Sequence, residues 1–210
     1  MRKELLSNHN EIQVTDFGAG SKVLNENKRS VADIAAKAGI SSKRGKLLAK
    51  TVAYFKPQTI LEIGTSLGIS TAYMVSGAPD AKITTLEGCP EIAGIARDNF
   101  QIFDFKQINL IVGKFEDTLP PALADQQFDL IYFDGNHQAV PTISYFEQCL
   151  KTVHEHSLFI FDDIHWTADM DKAWKHIRNH KKVSLSVDTY QWGLVFFKTG
   201  KAKEHFTLRI

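Results

Sequence analysis

Thr59–Ile69 reads TILEIGTSLGI. Ile60, Leu61 and Ile63 form a short apolar run bounded by Pro57 upstream and Gly64 downstream. Two of the three are β-branched, so the run predicts a buried strand. Gly64 to Gly68 then make a turn whose glycines can take positive φ and let a ligand approach the main chain. A helix follows, with its free N–H groups pointing over the turn. Glu62 lies at the strand end. A second carboxylate, Glu87, closes the next apolar run, KITTLE, 25 residues on (87 − 62). That offset is near the roughly 20 expected when an acid at the end of the second strand of a βαβ unit grips ribose hydroxyls. A glycine turn alone would suit any parallel α/β protein for structural reasons. The order strand, turn, helix, strand, acid is more specific.

Around this stretch, composition sets the class. The chain has 210 residues, 43% hydrophobic and 23% charged, enough for one domain that buries roughly 70% of the unfolded chain's surface. Net charge is 25 − 24 = +1, with both signs spread along the chain. No basic block points to nucleic acid or to an anionic membrane as partner. The start, MRKELLSNHN, has no apolar h-region, and no apolar run reaches the length of a membrane span. Cys89 and Cys149 are too few for a disulfide framework and are expected to pack as small apolar residues in a reducing compartment. The expected location is cytoplasmic.

Upstream, residues 1–29 are polar and lack a sustained period. Within them VTDFGAGSK imitates a nucleotide turn, but no helical pattern follows directly and Asp33 is not at a strand end. It reads as a structured loop, or as a loop that closes over a site. Ser30 and Asp33 form a capping box for a helix over 31–38, and Ser41 or Ser42 caps another over 43–55. Residues 1–42 are therefore read as an N-terminal extension with cover helices, and 43–210 as one globular domain. Downstream, strands (60–63, 82–86, 108–112, 128–133, 157–161, 183–188, 193–198) alternate with helices (68–77, 90–103, 116–124, 138–150, 168–180). Alternation predicts an α/β three-layer sandwich of the Rossmann-like kind, with a mostly parallel sheet. Only Gln191 and Trp192 separate the last two strands, too few for a crossover, so the last of the seven strands is reversed.

Ligands of such sheets bind outside the carboxyl ends of the strands. Those ends carry Glu62, Gly64, Thr65, Ser66 and Gly68; Glu87; Gly113, Lys114 and Phe115; Asp134, Gly135, Asn136 and His137; and Asp162, Asp163, Ile164, His165 and Trp166. Asp134, Asp162 and Asp163 would supply oxygen ligands suited to a hard divalent cation such as Mg²⁺. Taken singly, each is as well explained by a turn or a cap. His137, with an unperturbed pKa near ~6.5, is a candidate general base or a surface histidine at a helix start. His165 and Trp166 line a pocket or pack their turn. Histidines 154, 156, 176, 180 and 205 sit among polar residues and read as solvated. There is no Cys₂His₂ or H-E-x-x-H zinc pattern, no GxSxG elbow and no P-loop.

With ILEIGTSLGIST, TLEGCPE, FDLIYFDGNH and FIFDDIHW in place, the chain resembles class I S-adenosylmethionine-dependent methyltransferases over about residues 43 to 198. The resemblance is to the branch of catechol O-methyltransferase and bacterial small-molecule O-methyltransferases. It implies the seven-stranded sheet with a reversed final strand. It implies S-adenosylmethionine cradled by Glu62, Gly64, Thr65, Ser66 and Gly68, with Ser70, Gly113 and Phe115 beside them, and Glu87 on the ribose diol. Asp134, Asp162 and Asp163 fall on the family's three metal positions, although the third is usually asparagine. His137 falls where the family often has a catalytic lysine. The implied activity is Mg²⁺-assisted O-methylation of a small hydroxylated acceptor, with Asp134 and His137 at the reacting groups. Two alternatives stay open: metal-independent N- or O-methylation, with Asp134 on the cofactor's ammonium, and a non-catalytic cofactor-binding module. The partner is a small-molecule acceptor, and a homodimer is left open.

Overall fold

The computed structural model describes residues 1–15 and 28–209. Asp16–Lys22, the body of VTDFGAGSK, lies outside the described residues. In chain order the elements begin with α1 (Arg2–Leu5), β1 (Glu11–Gln13), β2 (Lys28–Ser30), α2 (Val31–Lys37) and α3 (Ser42–Phe55). Then come β3 (Thr59–Ile63), α4 (Ile69–Gly77), β4 (Lys82–Glu87), α5 (Pro90–Ile102), β5 (Ile108–Val112) and α6 (Phe115–Ala122). The remainder is β6 (Leu130–Phe133), α7 (Ala139–Cys149), β7 (Leu158–Asp162), α8 (Ala168–Asn179), β8 (Leu185–Asp188), β9 (Trp192–Phe196) and β10 (Glu204–Thr207).

The main sheet runs β10-β8-β9-β7-β6-β3-β4-β5. β3, β4, β5, β6 and β7 are mutually parallel, and β9 lies antiparallel between β7 and β8. The reversed strand and its pairing follow from the short connection before it. The sheet differs from the sequence expectation by an eighth strand, β10, parallel to β8. Its residues, EHFT, are all exposed and show no apolar alternation, so no hydrophobic signal announces it. β1 and β2, three residues each, pair as a separate antiparallel ribbon and are too short to show a period.

Side-chain alternation sorts the strands into two cores. Ile60, Ile83, Tyr132 and Ile160 face α2, α3, α4 and α5 through Val31, Ile34, Leu48, Val52, Met74 and Ile92. Leu61, Ile63, Ile131, Phe133 and Phe161 face α6, α7 and α8 through Leu119, Phe146, Trp174 and Ile177. Each such side chain contributes roughly 1.5–3 kcal/mol on burial. Ser30 and Ser41 cap α2 and α3 by accepting from the N–H of Asp33 and Arg44. The chain leaves β3 outward through β4 and β5, then returns to β6 on the other side of β3. The switch point therefore lies between β3 and β6, and ligands of such sheets bind beyond the carboxyl ends of the strands there.

Candidate active site

On the β3–β4 side the sequence builds a glycine turn fixed from beneath. Gly64 has φ +104, and a Cβ there would stand 2.5 Å from the carbonyl oxygen of Asp134. Only glycine fits both the backbone angle and the contact. Gly68, at φ +78, begins α4 with no side-chain cap, which leaves helix N–H groups over the turn. Glu62 is fully buried and accepts from Ser70 Oγ (2.5 Å), Thr71 Oγ1 (2.5 Å) and Thr85 Oγ1 (2.6 Å). Burial pushes its pKa up to about 7 against the pull of the three hydroxyls. Glu62 and Ser70 thus bind each other under the turn and hold its shape, rather than facing a ligand. Thr65 is also buried and bonded to Thr85 at 2.6 Å.

Glu87 stands differently. Its side chain is partly exposed and accepts from Ser66 N–H and Cys89 N–H, both at 2.9 Å, so it spans the lip of the turn. Gly113 N–H donates to the Glu87 carbonyl at 2.9 Å, and the ring of Phe115 packs against Gly135 and edge-on to Tyr145. Ser66, Cys89 and Gly113 are thereby tied to Glu87 at the carboxyl ends of the strands, and Gly64 and Phe115 pack against Asp134 and Gly135. Thr15 N–H donates to Cys89 Sγ at 3.4 Å, which brings the N-terminal segment to the same side.

On the β6–β7 side, Asp134 and His137 stand 3.7 Å apart, Oδ1 to Nε2. Asn136 and His137 both take positive φ, +72 and +41, which turns the imidazole back toward the strand end. Burial and the nearby Asp163 carboxylate hold Asp134 well above the usual carboxylate range, opposed by Arg44. Burial lowers His137, with Arg44 acting in the same direction and Asp163 against it. The imidazole lies edge-on to Trp166, centroids 5.7 Å apart.

Asp162 is 5% exposed, and its oxygens are occupied. Oδ1 accepts from Arg44 Nη2 and from Asp163 N–H; Oδ2 accepts from Tyr132 OH at 3.1 Å. Arg44 Nη2 also lies 3.8 Å from Asp163 Oδ1. The expected Mg²⁺ site does not fit this arrangement. Among the described residues no group of three or more histidine, cysteine, aspartate or glutamate side chains is placed to hold a metal ion. The reason is physical: the charge that Asp162 needs comes from a guanidinium, and its second oxygen is held by a phenol.

Arg44, Tyr132 and Trp192 escape sequence reading. His165 neither lines a pocket nor merely packs; it bridges Asp171 and Asp188, the latter at 2.8 Å. His154 and His180 are not simply solvated, since His154 reaches Asp129 at 3.1 Å and His180 packs on Phe146.

The fold and the glycine turn define a Rossmann-like chain, and comparison shows what it is similar to. The family described as a methyltransferase domain matches residues 61–164. The catechol O-methyltransferase of Mycobacterium tuberculosis is 30% identical over 129 residues, 60% of this chain and 56% of that protein. That of Niastella koreensis is 29% identical over 129 residues, 60% and 58% of the two chains. The SAH-bound methyltransferase of Podospora anserina superposes with a TM-score of 0.66 at 23% identity, covering 76% of this chain and 80% of that one. An O-methyltransferase of Bacillus cereus in complex with SAH gives 0.64 at 23%, covering 75% and 81%. The middle of the chain is thus similar to methyltransferases, catechol O-methyltransferases among them, and the solved structures share its fold. The chain spans a little over half the length of the curated relatives it matches.

Proposed function

We propose that this chain transfers a methyl group from S-adenosylmethionine to a hydroxyl oxygen of a small molecule. One observation carries the reading: the Glu87 carboxylate spans the lip of the glycine turn, while the partly buried imidazole of His137 stands beside Asp134 at the same switch point. We assign Glu87, which accepts from Ser66 and Cys89, to the ribose diol. Gly64 and Gly68 supply the positive φ of the turn, with the Asp134 carbonyl and the Phe100 ring packed where side chains would stand. When bound, S-adenosylmethionine supplies an electrophilic methyl group on a sulfonium. The chain's own work is to position the acceptor and take its proton. His137, lowered by burial, is unprotonated at neutral pH and can receive the acceptor's hydroxyl proton at Nε2 before releasing it to water. No step needs a metal.

The same reading treats residues 1–42 as a cover on the 43–210 domain, supported by Leu5, Val14, Val31 and Ile34 sharing one core with Ile60 and Ile69. It keeps the chain in the cytoplasm, consistent with two free, buried cysteines. Among the described residues no helix is long and apolar enough to cross a membrane.

Calorimetric titration with S-adenosylhomocysteine in EDTA tests the pocket. We expect micromolar binding, weakened more than about tenfold in Glu87→Ala, where two charge-assisted bonds are lost. A wild-type protein that does not bind would overturn the reading. For a turned-over acceptor, kcat/KM should rise with pH through a midpoint below the ordinary ~6.5 of histidine. His137→Gln should remove that limb.

A further inference from the structure

Residues 42–56, which form α3 and its C-cap, hold five bases and no acid: Lys43, Arg44, Lys46, Lys50 and Lys56. Arg44 is bonded to Asp162, and the four lysines are exposed. The helix lies along β9. Arg44 stands 5.7 Å from the Trp192 ring at one end, and Phe55 stands 5.7 Å from the Phe196 ring at the other. Beyond α3 the same face of the sheet opens to solvent. Leu185 pairs with Phe196 and Val187 with Leu194 across β8 and β9, and Phe206 of β10 pairs with Val187. Alternation puts these side chains, and Leu208 after them, on one face. The other face is the one α8 covers, through Trp174 against Gly193 and Asp188. Leu185, Val187, Leu194 and Phe196 are partly buried, whereas Phe206 is 47% and Leu208 51% exposed. On the flank of α3, Tyr54 is 79% exposed and lies edge-on to Phe55. Past β9 come Lys198 and Lys201, both exposed.

We propose that this face, the outer flank of α3 together with β8 and β10, docks the protein on an anionic lipid surface. Its chemistry is aliphatic and aromatic side chains bordered by lysines, which is what the boundary between headgroups and acyl chains accepts. Tyr54, Phe206 and Leu208 would enter that boundary, and Lys43, Lys46, Lys50, Lys56 and Lys198 would meet the lipid phosphates. Charge argues against a second copy as the occupant. Two such faces brought together would set α3's lysines against their own like, and Glu204 is the one acid that β10 offers in return. A phosphodiester backbone would meet the lysines but leave Leu185, Val187 and Leu208 without apolar partners. The whole chain's charge of +1 hides this face, because Lys50 and Lys198 are 148 positions apart (198 − 50). They share one end of the molecule because Phe55 packs on Phe196. The inference stands apart from the methyltransferase reading, since none of these residues belongs to the candidate site.

Co-sedimentation of the full chain with vesicles tests this. One set is pure phosphatidylcholine, the other a phosphatidylcholine–phosphatidylglycerol mixture, each at low and high salt. We expect binding to the mixed vesicles at least about tenfold tighter than to phosphatidylcholine, and weaker at high salt. Lys43→Glu/Lys50→Glu should weaken it by about tenfold or more. Lys172→Glu/Lys175→Glu makes the same charge change on exposed residues of α8, which covers the opposite face, and should stay within about twofold of wild type. Phe206→Ser/Leu208→Ser should weaken binding at both salt concentrations, since it removes apolar contact and no charge. Glu204→Lys should tighten it. Melting temperatures confirm that each variant folds, and the α3 pair, on exposed lysines, carries the test if the β10 pair does not. Absence of binding to mixed vesicles at low salt, equal binding to both vesicle types, or an equal loss in the α8 pair would each overturn the proposal. A wild-type dimer in solution that Phe206→Ser/Leu208→Ser dissociates would overturn it too, by giving the face to a second copy.

Discussion

Two buried carboxylates, Glu62 and Asp162, solve the same problem in opposite ways. Both close apolar strands in one sheet, and both are almost entirely removed from water. Glu62 is met by three neutral hydroxyls, from residues 8, 9 and 23 positions away. Asp162 is met by a guanidinium 118 positions away and by a phenol. Hydroxyls satisfy hydrogen-bonding capacity but bring no charge, so burial still raises Glu62. A guanidinium brings charge, at the cost of burying a second ion. One end of the crevice is therefore neutral and locally assembled. The other is charged and held together by tertiary structure.

The comparison breaks most readily at Arg44. Arg44→Ala leaves Asp162 buried without its cation, and the expected loss is about 3–5 kcal/mol in denaturant unfolding. Adding Asp162→Asn should recover much of that loss. If the two single losses simply add, the pair is not coupled. At Gly64 the expected loss is smaller, about 2–4 kcal/mol for Gly64→Ala, from positive φ and collision with the Asp134 carbonyl. Cofactor-product binding should fall with it. A stable Gly64→Ala that binds normally would refute the tight turn.

Glu62 gives the smallest and most pH-specific effect. Its folded pKa of about 7 lies above the unfolded 4.5. Between those values the folded state holds more protons, so stability should fall as pH rises from about 4.5 to about 7 and then level off. The span is on the order of 1–3 kcal/mol. Glu62→Gln should flatten this slope in melting curves recorded across that range. A wild-type melting temperature that rises over the same range would contradict the neutral box.

Much of the neutral end was legible in the chain. TILEIGTSLGI carries strand, turn and helix in consecutive residues, and Glu87 follows at the βαβ distance, because those features depend on local backbone and one crossover. The reversed β9 was legible too, since two residues cannot carry a crossover. What the sequence could not show was which way each acid turns. Glu62 faces Thr85 because β3 and β4 pair in that register. The pairing of Asp162 with Arg44 was out of reach for the same kind of reason. Three acids at strand ends look like ligands until one knows that a cation from α3 arrives among them.

By itself, then, the sequence determined the alternation of elements from β3 to β9, the glycine turn, an acid at the end of β4 and the reversal of β9, all set by short-range pattern and chain length. The tertiary structure decided the eighth strand, whose exposed residues carry no pattern. It also decided the pairing of Arg44 with Asp162, because a contact across 118 residues depends on how helices and strands pack and leaves no periodic trace in the chain.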